Sequence, residues 1–277
     1  MQLLGKALPR RHKLFLAGDM HFGSSLCNVE RIQEMISHIQ CEKDNYLILM
    51  GDQIDAIAFN DPRYDNTNPY NPIEQANMFV DMFSPIKDRI ITALDGNHEL
   101  KLRPFGLVTR DIICRGLGID YGTSSCVVSL FDETGNFQYR VFCHHGFGLM
   151  NPSSPSYLAR DTRVKESIKR KLMEKVGDCV VMAMGHVHKL VVFEPQPRLF
   201  IRSGEGRLKS SYVTPDPGSG FIHPDFRWYV GTGSFLKQYG IGYSGYSEIA
   251  GYDPVDLGYV VLNCWDGRVQ EVIKVIV

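Results

Sequence analysis

Five short runs of Asp, Asn and His punctuate the first two thirds of the sequence: Asp19-Met20-His21, Gly51-Asp52-Gln53-Ile54-Asp55, Gly96-Asn97-His98-Glu99, His144-His145-Gly146 and Gly185-His186-Val187-His188. Carboxylates, an amide oxygen and imidazoles are the donors that Zn²⁺, Mn²⁺ and iron accept, and the lack of thiolates in these runs argues against a structural zinc site. The donors are too many for one ion. They suit two ions about 3.5 to 4 Å apart sharing a bridging carboxylate, an arrangement that clamps the attacking and leaving oxygens of an in-line displacement. In an extended segment residues i and i+2 point the same way. Asp19 with His21, and His186 with His188, therefore each aim two donors at one pocket. Glycine before Asp52, Asn97 and His186 lets the chain turn sharply and approach closely. Any one run alone is explained by an ordinary capped turn; five in one chain, each at the end of an apolar run, are not.

The elements that must position these donors are readable nearby. Apolar, β-branched runs at 14–17, 46–50, 90–94, 139–143 and 179–184 each stop just before one cluster. In open α/β sheets, ligands bind outside the carboxyl ends of strands, so these five ends are expected to face one crevice. A helix is expected at 28–40, with Asn28 as N-cap and Val29, Ile32, Ile36 and Ile39 on its buried face. A second is expected at 161–176, burying Val164, Ile168, Leu172 and Val176, with Lys165, Lys169, Arg170 and Lys171 forming a solvated basic face. Segments 60–72 and 214–223 read as loops, 239–252 is rich in Gly and Tyr, and 258–277 reads as two strands about the turn Asp266-Gly267. No shift in composition divides the chain, so one domain spanning 1–277 is expected.

Composition excludes more than it proposes. With 44% hydrophobic and 22% charged residues, the 277-residue chain is neither disordered nor fibrous. A formal charge of -1 gives no global positive field to draw in nucleic acid. No run approaches the roughly 18 apolar residues of a membrane span, so no membrane partner is expected. The N-terminal apolar run is broken too soon by Asp19 for a secretory leader, and seven Cys without a CxxC pair fit reduced thiols. Both point to the cytoplasm. Cys143, beside His144, reads as a buried thiol.

The series DMH, GDQID, GNHE, HHG and GHVH resembles the signature of the calcineurin-like metallophosphoesterase superfamily, in its bacterial and phage-type branch, over residues 13–190. Residues 229–258 are similar to the closing strands of such members. The resemblance implies an α/β fold, a four-layer α/β/β/α sandwich with two mixed β-sheets and a dinuclear metal site at the carboxyl edge of the strands. It implies Asp19, His21 and His188 as ligands of the first metal, Asp52 as the bridge, and Asn97, His145 and His186 as ligands of the second. The cofactors are then two divalent ions, Mn²⁺ taken first, with Fe or Zn²⁺ behind it. His98, protonated or nearly so at neutral pH, resembles the family's non-ligand general acid, and Asp55 the residue that orients it; a helix N-terminal carboxylate is the other reading of Asp55. Glu99 is expected to hold a loop, and His144 to lie outside the ligand set.

The implied activity is hydrolysis of phosphomonoesters or phosphodiesters by in-line attack of a metal-bridging hydroxide, with a phosphoester substrate as partner. Protein phosphatases of this superfamily carry Arg where this chain has Ala56 and Asp95, so that substrate class is not expected. Arg160, Arg163, Arg202 and Arg207 are candidates for replacement charge. A nuclease-like DNA or RNA phosphodiesterase is the nearest alternative: Arg202, Arg207 and Lys209 lie near Phe200 and Tyr212, and Tyr239, Tyr243, Tyr246 and Tyr252 offer stacking faces. The neutral charge disfavours it. A non-catalytic binding scaffold is the alternative of another kind, and it predicts eroded donors where all seven are intact. Oligomeric state leaves no trace in the sequence.

Overall fold

Short runs rich in Val, Ile and Leu are too brief for helices and pair into sheets instead. The computed structural model describes residues 1–57, 61, 69–148, 156–204, 206–212, 219–242 and 246–277. In chain order the strands and helices are β1 (Gln2–Ala7), β2 (His12–Ala17), α1 (Val29–Gln40), β3 (Asn45–Leu49), α2 (Pro72–Phe83), β4 (Ile90–Ala93), α3 (Asn97–Leu100), α4 (Arg115–Leu117), β5 (Asp120–Tyr121), β6 (Ser125–Phe131) and β7 (Phe137–His144). There follow α5 (Tyr157–Leu172), β8 (Val181–Met184), β9 (Leu190–Phe193), β10 (Leu199–Gly204), β11 (Arg207–Tyr212), β12 (Trp228–Thr232), α6 (Tyr246–Ile249), β13 (Gly258–Trp265) and β14 (Arg268–Ile276).

Two six-stranded mixed sheets result, ordered β14-β13-β2-β3-β4-β5 and β1-β6-β7-β8-β12-β9. In the first, β2 to β5 run parallel and β13 closes antiparallel on β2. In the second, β7, β8 and β12 run parallel. Three apolar layers hold the stack. Ile32, Met35 and Ile39 of α1 and Ala76, Phe79 and Phe83 of α2 bury against Phe15, Leu47 and Leu49 of the first sheet. Leu14, Leu16 and Ile48 meet Val128, Val141 and Val181 between the sheets. Val164, Ile168 and Leu172 of α5 cover Phe142, Met182 and Tyr229 on the far side of the second. The alternation of each strand thus fills two layers at once, giving the four-layer α/β/β/α sandwich that the resemblance implies.

Several local expectations change. Asn28 occupies the cap position of α1, but its side chain makes no capping bond. Helix α5 starts at Tyr157 rather than 161, because the Ser156 hydroxyl accepts from the Ala159 N–H, and it ends at Leu172 rather than 176. Beyond its end the Arg227 guanidinium, 1% exposed, donates to the carbonyls of Met173, Val176, Gly177 and Ile222, satisfying groups that have no helical partner. Arg227→Met should leave those carbonyls unsatisfied and cost about 3 to 5 kcal/mol. Urea unfolding of the two proteins checks this, and a loss under about 1 kcal/mol would mean that water replaces the guanidinium.

Helix α2, with Asn71 accepting from the Ile73 and Glu74 N–H groups in a full capping box, begins at the last position of the expected loop 60–72. The rest of that loop, apart from 61 and 69–71, lies outside the described residues, as do 214–218 and Tyr243. Among the described residues, no helix is long and apolar enough to cross a membrane.

Candidate metal centre

The five donor runs follow β2, β3, β4, β7 and β8, so both sheets deliver them to one edge. Backbone bonds stitch these loops together: Asp19 N–H donates to the Gly51 carbonyl at 2.9 Å, and Met20 and His21 N–H to the Asp52 carbonyl at 2.9 and 3.0 Å. The second sheet joins through His186 N–H, which donates to Asp19 Oδ2 at 2.8 Å.

The side chains form two groups that meet at Asp52. In the first, His188 Nε2 lies 3.2 Å from Asp19 Oδ1 and 3.3 Å from His21 Nε2, which is 3.8 Å from Asp52 Oδ2. In the second, His145 Nε2 lies 3.4 Å from that same Asp52 Oδ2, while His145 Nε2 and His186 Nδ1 approach Asn97 Oδ1 at 3.1 and 2.6 Å. All seven expected donors are thereby brought together. Donor atoms of Asp19, His21 and His188 fall within 4.8 Å of one another, and so do those of Asp52, His145 and His186. His21, Asp52 and His98 form a third such set, although His98 was expected outside the ligand shell.

The backbone is strained where the donors sit. Among the described residues eight non-glycine residues have positive φ, and five of them are Asp19, His21, Asp52, His186 and His188. Such conformations cost about 1 kcal/mol or more each and persist where the surroundings enforce them.

Electrostatics favours cations. Burial should raise the Asp52 carboxyl, yet His145, His98 and His21 around it hold it well below the usual carboxylate range. Burial likewise opposes a charge on His145, but Asp52 and Asp19 draw it up to about 10. That negative potential, the thiol-free donor set, and the buried Asp19 Oδ1, which has no hydrogen-bond partner among the described residues, fit a pair of divalent cations. The His145 Nδ1 sits 2.9 Å from the Met50 carbonyl, which orients the ring with Nε2 toward Asp52 and Asn97.

The neighbouring groups divide between expectation and surprise. Glu99 holds loops as expected: its buried carboxylate accepts from the N–H groups of Asp52, Ile54 and Gly96 at 3.2, 3.1 and 2.9 Å. Burial, then Asp52, pushes it up to about 7. His144 stays outside the donor set, its Nδ1 accepting from Gly146 N–H, and Cys143 is buried. Asp95, where protein phosphatases carry Arg, accepts from the Tyr121 hydroxyl. His98 lies edge-on to His21 with ring centroids 4.5 Å apart. Its Nδ1 meets the backbone carbonyl of Asp55, while the Asp55 carboxylate lies 3.8 Å from that nitrogen and 3.5 Å from His21 Nδ1. The closer contact of Asp55 with His98 is thus made by its main chain, not its carboxylate. Burial, then the charge on His21, lowers His98 to about 4, so the imidazole is neutral at pH 7 rather than protonated.

Two supports went unnoticed in the sequence. The Ser234 hydroxyl donates to the Asp19 carbonyl at 2.9 Å, bringing the C-terminal third onto the first donor loop. Buried Gln75 of α2 accepts from Ala56 N–H at 3.0 Å and donates to the Tyr70 carbonyl, holding the loop after Asp55. A Gln among the apolar positions of an amphipathic helix was the available signal for the second.

A family model described as calcineurin-like phosphoesterase matches residues 12–215. No curated protein matches the chain. Among solved structures, that of the nuclease MPE of Pseudomonas putida is 13% identical, with 95% of this chain and 87% of that chain covered and a TM-score of 0.31.

Proposed function

Because the chain belongs to the calcineurin-like phosphoesterase family, we propose that residues 1–277 act as one domain that hydrolyses phosphoester bonds with two divalent cations. The observation that carries this reading is the buried Asp52 Oδ2 standing between two sets of oxygen and nitrogen donors. Asp19, His21 and His188 would hold one cation and Asn97, His145 and His186 the other, with Asp52 shared. Bound there, the cations supply water acidified toward neutrality and positive charge for the phosphoryl oxygens. Mn²⁺ is the first choice and Fe or Zn²⁺ the alternatives, since affinity order does not decide what a cell loads. Seven cysteines without a disulfide support a reducing, cytoplasmic setting.

The chain's own part is positioning and proton transfer. Strained loops fix the donors before substrate arrives, and Glu99 ties the second loop to the third. His98 is the group beside the donors that can protonate a leaving oxygen. A neutral His98 with Nδ1 on a carbonyl keeps Nε2 open to take a proton, and an arriving phosphoryl dianion favours its uptake. His98→Ala should therefore cost about 10² to 10⁴ in rate for alkyl phosphates, whose leaving oxygen needs a proton, and far less for nitrophenyl phosphate. Equal losses for both substrates would remove His98 as the acid.

Hydrolysis of p-nitrophenyl phosphate and of its bis ester, each with Mn²⁺, tests the activity and separates monoester from diester preference. Rates on single-stranded and duplex DNA decide the nuclease reading. Absence of all turnover from well-folded, cation-loaded protein would return the chain to a binding role.

A further inference from the structure

The ribbon of β10 and β11 stands outside both sheets; among the described residues its strands pair with each other and with no other strand. A two-stranded ribbon is marginal in water on its own. Its register sorts the side chains into two faces. Leu199, Ile201 and Ser203 lie opposite Tyr212, Ser210 and Leu208, while Phe200, Arg202 and Gly204 lie opposite Ser211, Lys209 and Arg207. One face is aliphatic and uncharged; the other carries three cations. Phe200 and Tyr212, the two aromatic residues considered for stacking bases, fall on opposite faces. The exposures of Leu199, Ile201, Leu208 and Tyr212 are 55, 70, 76 and 63%. Four large apolar side chains on one face call for a partner.

The ribbon does not line the metal centre. β9 runs antiparallel to β12, from Leu190 opposite Thr232 to Phe193 opposite Tyr229, and β12 runs parallel to β8, whose far end leads to His186. The chain after Phe193 therefore leaves at the edge opposite the donors. There Gln196 N–H donates to the Asp225 carbonyl at 2.7 Å and Arg198 pairs with the Asp225 carboxylate at 2.5 Å.

We propose that the apolar face of this ribbon is the contact with a second copy of the chain, related by a two-fold axis. Charge selects the face: two basic faces of one sign repel, whereas the apolar faces carry no charge to desolvate. Shape fits a self-complementary contact. Leu199 and Tyr212 make a bulky base, Ser203 and Leu208 a slimmer end near the turn, and Ile201 with Ser210 the middle. A two-fold through the middle sets each base against the slimmer end of the other ribbon. Area sets the strength. At roughly 100 Å² uncovered per large side chain, two copies bury on the order of 800 Å², below the ~1,200 Å² of stable complexes. The dimer is therefore weak and dependent on concentration.

Sedimentation velocity from about 1 to about 200 µM reads this directly, because micromolar association falls inside that range. The average mass should climb from one chain toward two. Ile201→Asp with Leu208→Asp should hold it at one chain, a loss of association of at least about tenfold for two buried carboxylates. Arg202→Glu with Arg207→Glu should leave the dimer intact. In a Cys41→Ser background, which removes the exposed native thiol, Ile201→Cys should be cross-linked to its own copy by a short bis-maleimide and Arg202→Cys should not. Unchanged circular dichroism and p-nitrophenyl phosphate turnover establish that the variants are folded. The proposal fails if the protein stays at one chain throughout, if only the arginine substitutions abolish association, or if Ile201→Cys gives no cross-link. Binding of a single-chain protein to phosphatidylglycerol vesicles or to duplex DNA, lost in Ile201→Asp with Leu208→Asp, would assign the face to that partner and overturn it equally.

Discussion

Asp52→Asn is expected to lower hydrolysis by more than about 100-fold and to leave the fold in place, since even groups that merely orient metal ligands are worth 10 to 100-fold. Asn has the same shape and keeps an oxygen for the His98 N–H, which donates to Asp52 Oδ1 at 2.9 Å. What it removes is the negative charge on Oδ2, the oxygen that both donor groups share at 3.4 Å from His145 and 3.8 Å from His21. Cation content should fall from two to one or none, read by elemental analysis after dialysis. Cation at about a thousand times its dissociation constant is worth about 4 kcal/mol of folding stability. Mn²⁺ should therefore raise the melting temperature of the native sequence, chelation should reverse the rise, and Asp52→Asn should respond less to both. A variant that keeps most of the turnover, or melts later with Mn²⁺ to the native extent, would exclude Asp52 as the shared ligand.

Gly96→Ala is expected to cost about 3 kcal/mol or more and to take cation binding with it, at the upper end of what overpacking does. The backbone of Gly96 is extended, with φ -94°, so conformational freedom is not the issue. Space is. A Cβ there would lie 2.0 Å from Asp52 Oδ1 and 2.1 Å from the Asp52 backbone nitrogen. The nitrogen cannot retreat, because Glu99 holds it together with the N–H of Gly96 itself. Either the third donor loop opens or the Asp52 carboxylate turns away, and each separates the two cation positions. Gly220→Ala is the control, since a Cβ there meets nothing within 4 Å and its effect should stay within about 0.5 kcal/mol. Guanidinium unfolding and Mn²⁺ titration calorimetry measure both losses, and equal behaviour of the two variants would discard the clash.

How far these sites can be read without coordinates depends on the range of the interaction. The five donor runs are legible because ligand chemistry is a property of residue type, and because each run abuts an apolar strand whose end is visible in the same few residues; the choice of seven donors within them is what the family resemblance implies. The clamp by Glu99 is legible for a similar reason, since it reaches back to Gly96 three residues away as helix starts do. Ser234 on Asp19 and Gln75 on Ala56 bridge 215 and 19 residues, and although a Gln on an apolar helix face stands out, no local pattern names the partner of either. Arg227, 55 residues beyond Leu172, is as remote: it holds the turn that follows α5 through the carbonyls of Met173 and Val176.

The sequence by itself determined which runs carry cation donors and the order in which strands deliver them; the sandwich beneath is what its family resemblance implies. Only the tertiary structure decided how the two donor groups share Asp52, since that depends on two sheets meeting at one edge and on five donor residues held at positive φ against their own preference. It also decided the charge on His98. An isolated histidine titrates near neutrality, but burial, then the charge on His21, lowers His98 to about 4. The ribbon at 199–212 belongs to the same class: alternation of side chains was present in the sequence, yet only the register, and the absence of a further strand beside it among the described residues, separates a basic face from an apolar one.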